Sequence, residues 1–135
     1  MEEAGVFDRS VQALSGQEFS RQELQILFAI FADDTPHHEV MWGLLHLVET
    51  SDSERLISSL VQSAPYMRRV APEWLETFIC RVLNHDPARQ VLIACLKDMA
   101  STEGAAEVIA LIETLKGDAS DRVRARASVV AAALM

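Results

Sequence analysis

The side chains best able to do chemistry lie in residues 36–49, PHHEVMWGLLHLVE. On a helix turning about 100° per residue, His38, Trp42, His46 and Glu49 share one side, opposite Met41, Leu44, Leu47 and Val48. Imidazoles with a carboxylate could ligate a metal ion, and an indole flanked by acids could anchor a protein partner. Metal ligation fails on reach. His38 and Glu49 are 11 residues apart, about 16 Å along a helix, so only neighbouring pairs could share an ion. Catalysis finds no support in a Gly-rich phosphate loop, a nucleophile elbow or an H-E-x-x-H pair. Cys80 and His85 approach poorly as thiol and base, because Cys80 lies within a predicted helix and His85 just beyond its end. The expectation is a chain without catalytic residues, cofactor or metal.

Two readings of the stripe remain. Trp42 and His46 could be sandwiched between two helix layers, with Glu49 satisfied by Arg81 or a backbone amide. Alternatively the stripe is a contact surface, where Trp anchors and acids steer a basic partner. Internal packing is preferred for Trp42 and His46, and partner contact for the acids around them. A companion segment, APEWLETFICRVLN (71–84), carries Trp74, with Glu73, Glu76, Thr77, Cys80 and Asn84 on its polar side and Arg81 seven residues after the Trp. The candidate partner-binding residues are Asp33, Asp34, Glu39, Trp42, His46, Glu49, Asp52, Glu54, Glu73 and Glu76.

The formal charge of −8 is unevenly spread. Residues 1–67 hold 11 acids against three bases, and residues 68–135 hold nine of each. An acidic first half disfavours nucleic acid and favours a cationic partner. The two cysteines, Cys80 and Cys95, match no disulfide or zinc spacing. They read as reduced thiols, which with the lack of a signal peptide or a long apolar run predicts a cytoplasmic protein outside the membrane.

The elements that must position these residues are helices. Ser15 with Glu18 has capping-box form ahead of Phe19, Leu24, Ile26, Leu27, Ile30 and Phe31; Thr35-Pro36 is a second start; Ser51 with Glu54 repeats the box ahead of Leu56, Ile57, Leu60 and Val61. APYMRRVAP (64–72) reads as an interruption between prolines. Pro72, Asp86-Pro87 and Ser101 or Thr102 open further helices, and a last one carries Val123, Ala127, Val130, Ala131 and Leu134. No period-two alternation argues for a strand. The predicted fold is all-α, a HEAT-like array or an irregular bundle of about seven short antiparallel helices. It occupies residues 1–135 as one domain, with 1–15 as a loosely ordered N-terminal segment.

Trp42, Gly43, Leu44, His46 and Glu49, together with Pro72, Glu73, Trp74, Arg81, Leu83 and Asn84, resemble the immunity protein 30 family of bacterial polymorphic toxin systems over roughly residues 38–100. The resemblance implies a small cytosolic protein of contact-dependent inhibition type that binds and neutralises a cognate toxin domain without catalysis of its own. The expected partner is the toxin's C-terminal domain, of cationic character and suited to a nuclease. Nucleic acid and membrane are not expected partners, and the expected state is a monomer or weak homodimer. A HEAT-like adaptor or scaffold binding another cytosolic protein or peptide is the alternative.

Overall fold

In the computed structural model, which describes residues 19–33, 36–117 and 120–134, most helices begin where a side chain can take up the first free N–H groups. Ser20 and Glu23 form a reciprocal capping box for α1 (Arg21–Phe28). The box lies five residues beyond the predicted pair, Ser15 and Glu18, which is outside the described residues. α2 spans His38–Glu49 without a side-chain cap, and Thr35 of its predicted start is likewise outside the described residues. Asp52, rather than Ser51, caps α3 (Ser53–Val70) by accepting from the Arg55 N–H at 3.3 Å. Pro72 opens α4 (Pro72–Leu83), and the His85 side chain caps α5 (Asp86–Asp98). Thr102 caps α6 (Glu103–Leu115), and Ser120 caps α7 (Asp121–Ala133). Among the described residues the fold is all-helical, with seven helices and no strand.

The expected interruption at APYMRRVAP does not occur, since α3 passes through Pro65 and ends at Val70, before Ala71-Pro72. Proline inside a helix costs about 3 kcal/mol by removing one N–H and crowding the carbonyl four residues back. Here burial outweighs that cost. Ile57, Leu60, Val61, Ala64 and Met67 are all completely buried, so the apolar stripe continues across the proline with helical period. The carbonyl deprived of its partner is that of Val61, and it is there that α6 crosses. A Cβ on Gly104 would overlap the Val61 carbonyl oxygen and stand 2.9 Å from its carbon. Only glycine permits this approach.

α3 is the hub, packed against α1, α2, α4, α5 and α6, while α7 closes the far side against α4, α5 and α6. The helices form a bundle around one continuous core that runs from Phe19 to Ala131. Arg21 meets Ser58 and Gln25 meets Gln62, a constant separation of 37 residues, so α1 and α3 run in the same direction. In α1 the inward residues are Leu24, Leu27 and Phe28, with Phe31 just beyond it. Ile26 and Ile30, expected on that side, instead face outward, Ile26 at 65% exposure. Two residues past Leu24 is more than half a turn.

Leu44 and Leu47 are 1% and 4% exposed, as the wheel predicts. Leu44→Ala is expected to cost about 2–5 kcal/mol in chemical denaturation, and wild-type stability would refute this placement. Gly104→Ala should lower the thermal midpoint. Overpacking of about 1–3 kcal/mol outweighs the roughly 1 kcal/mol that alanine gains in helix propensity; an unchanged or raised midpoint would show that α6 does not rest on Val61.

Candidate functional site

α2 and α4 both lean on α3, and their outer faces lie side by side. Trp42 meets Trp74 and Glu49 meets Arg81, each pair 32 residues apart, so the two helices run parallel and in register. The face is built from about one residue per turn on α2 and two per turn on α4. α2 contributes Glu39, Trp42, His46 and Glu49; α4 contributes Glu73, Glu76, Thr77, Cys80, Arg81 and Asn84.

The start of α4, opened by Pro72, is capped by a residue from another part of the chain. Ala71 offers no side-chain cap, and the carboxylate of Asp33 takes its place, accepting from the N–H groups of Glu73 at 2.9 Å and Trp74 at 3.3 Å. A carboxylate there also complements the positive end of the helix dipole. Beside it the Trp74 indole donates to the Ala32 carbonyl at 3.2 Å. Trp74 is 5% exposed. Its ring is one step in an aromatic series leading from Phe28 through Phe78 and Phe31 to Trp74 and then Trp42, with successive centroids 5.1 to 5.4 Å apart. The series surfaces at Trp42, which meets Trp74 edge-to-face at 72° and is 42% exposed. His46, 6.2 Å from Trp42, is also exposed. The internal sandwich preferred for these two residues is therefore not found. Among the described residues no helix covers their outer side.

Glu49 makes a two-pronged ion pair with Arg81, both N–O distances 2.7 Å, the partner that the internal-packing reading names for it. The bonded carboxylate raises the Arg81 pKa above the ordinary arginine value, against the opposing pull of burial. His46 Nδ1 stands 3.8 Å from the same carboxylate. Arg81 separates two depressions. One, of about 460 Å³, is lined by Trp42, Glu73, Glu76, Thr77, Cys80, Arg81 and Asn84. The other, of about 450 Å³, lies on the Glu49, Leu56 and His85 side. A smaller hollow of about 160 Å³ continues the first between His38, Trp42 and Trp74.

The fold divides the candidate residues. Glu39, Trp42, His46, Glu49, Glu73 and Glu76 share the α2–α4 face. Asp33 caps α4 from behind it, Asp52 caps α3, and Glu54 reaches Arg21 of α1 at 3.4 Å. Asp34 lies outside the described residues. The polar spacing of α4 already marked Thr77, Cys80, Arg81 and Asn84, but nothing in the sequence signalled Arg126, which donates from α7 to the Asn84 side chain at 2.6 Å. Among the described residues no group of three His, Cys, Asp or Glu side chains is placed to hold a metal ion. None of the helices described is long and apolar enough to cross a membrane.

The family described as immunity protein 30 matches residues 1–92, a stretch that includes both α2 and α4. The chain belongs to that family, which assigns it a toxin-neutralising role and a cognate toxin as partner. Neither a curated protein nor a solved structure matches it.

The two tryptophans are expected to separate in stability measurements. Trp74→Ala should cost about 3–5 kcal/mol as a buried aromatic, whereas Trp42→Ala loses mainly its edge-to-face contact, about 0.5–1.5 kcal/mol. Asp33→Ala should cost about 0.5–2 kcal/mol through the lost cap. Equal losses at both tryptophans would mean that Trp42 is core.

Proposed function

We propose that the chain neutralises its toxin by direct binding of a cationic toxin domain to the face shared by α2 and α4. The observation that supports this is the charge balance there. Glu39, Glu49, Glu73 and Glu76 stand against Arg81 and against Arg126, which reaches the Asn84 side chain from α7, four minus two, a net −2 with histidines neutral. Arg81 is already paired on both prongs with Glu49. Among the described residues Glu39, Glu73 and Glu76 have no ion-pair partner, so the face presents uncompensated carboxylates around an exposed indole. A nuclease is the toxin class that suits this surface, because a cleft that holds phosphates must be cationic and carboxylates can occupy it in their place. The proposed setting is the cytoplasm, where Cys80 and Cys95 remain thiols, within a contact-dependent or other polymorphic toxin system.

Co-expression with the C-terminal domain of the toxin encoded beside the gene tests the reading. Rescue of growth and co-purification are expected; failure of both overturns it. In the purified pair, Glu39→Lys and Glu73→Lys should lower the thermal midpoint only slightly, since each reverses an exposed charge in the first turn of a helix, about 0.3–1 kcal/mol. They should slow association and flatten its salt dependence. Undiminished association by the double charge reversal would remove the acidic face from the mechanism.

A further inference from the structure

We propose that the groove beside Trp42 receives one arginine side chain of the partner, its guanidinium stacked on the indole and its N–H groups shared between Glu73 and Glu76. This rests on the reading of the partner as a cationic protein domain and names the group that anchors it.

The groove, at about 460 Å³, falls within the range of ligand clefts, roughly 300–1,000 Å³. Trp42 forms one wall and is held by Trp74 beneath it at 5.1 Å. An indole fixed by a buried neighbour loses little freedom on binding, which is the property of an anchor residue. The opposite wall is the first two turns of α4. Glu73 and Glu76, three residues apart, lie along the same side of that helix. Both are exposed, and neither has an ion-pair partner among the described residues.

The remaining lining decides the chemistry of the occupant. Arg81 closes the groove, but its guanidinium is bonded twice to Glu49, so it neither quenches Glu73 and Glu76 nor attracts an anion. The Thr77 hydroxyl donates to the Glu73 carbonyl at 2.9 Å, leaving its oxygen as an acceptor. An apolar side chain would desolvate two carboxylates without compensation. A lysine ammonium would satisfy them as a point charge. A guanidinium does more, because it is planar, stacks on an aromatic face and distributes its donors in a fork across two carboxylates.

The probes are acetylated, amidated hexaarginine, hexalysine and hexacitrulline, titrated into the full chain while the indole N–H signals are followed by NMR. Trp42→Phe assigns the Trp42 signal. Hexaarginine should shift it, hexalysine should bind at least threefold more weakly, and hexacitrulline should leave it unmoved. Glu73→Gln/Glu76→Gln and Trp42→Ala should each weaken hexaarginine at least tenfold by titration calorimetry, which does not depend on the Trp42 signal. Equal binding of hexaarginine and hexalysine, or an unchanged affinity in either variant, would overturn the proposal. With the toxin domain, Trp42→Ala should raise the Kd about 30-fold, the effect of an anchor residue. If the wild type protects cells and binds the domain while Trp42→Ala and Glu73→Gln/Glu76→Gln bind equally well, the groove proposal falls and the immunity reading stands. If Trp42→Ala alone weakens binding, the groove holds an apolar group and the arginine is refuted. If the wild type neither binds nor protects, the immunity reading falls, and the peptide titration still decides the groove.

Discussion

The passage of α3 through Pro65 is the constraint on which the other helices depend. Pro65 removes the N–H that the Val61 carbonyl would accept, and Gly104 lets α6 lie directly against that carbonyl, where any side chain would collide with it. A helix broken at Pro65 would be two short pieces with separate directions. As one 18-residue element, α3 can instead be surrounded by five others. The position of α2 and α4 follows from this, since both pack on the same continuous helix.

What α2 and α4 present outward is held from beneath. The aromatic series from Phe28 to Trp42 ties the exposed indole to fully buried rings, and each edge-to-face step contributes about 0.5–1.5 kcal/mol beyond area burial. Asp33 caps the first turn of α4, the helix that carries Glu73 and Glu76. At the other end the Glu49–Arg81 fork clamps the two helices and cancels the positive charge that stands between them. Half-buried carboxylate and exposed guanidinium exchange water for each other, so the fork's net stabilisation is modest. Its larger consequence is electrostatic, because the carboxylates that remain are uncompensated.

Charge counted along the chain and charge presented by the fold differ. The excess of acids belongs to residues 1–67, yet part of that excess is internal to the architecture. Asp33 and Asp52 cap helices, and Glu54 pairs with Arg21 across α1 and α3. Glu73 and Glu76, from the neutral half, join Glu39 on the outer face instead. A charge sum over a segment cannot distinguish a cap from a docking group, since both are carboxylates near a helix end.

The helical class, the starts at Pro72 and Asp86, and the inward side of α2 were legible in the sequence because they depend on local spacing. Leu44 and Leu47 face inward whatever the helix packs against, and a proline opens a helix without consulting its neighbours. The resemblance carried by Trp42, His46, Glu49, Trp74 and Arg81 likewise pointed to the family that the chain belongs to. Local spacing also marked Trp42 and Trp74 as unusual, but could not say which was buried. That depended on Ala32, Asp33 and Phe31 folding over Trp74 from some 40 residues away. The continuity of α3 was undecidable for the same reason. A proline's local cost is visible in the sequence, whereas the burial of Ala64 and Met67 that offsets it, and the glycine that accommodates the freed carbonyl, exist only once α6 has docked.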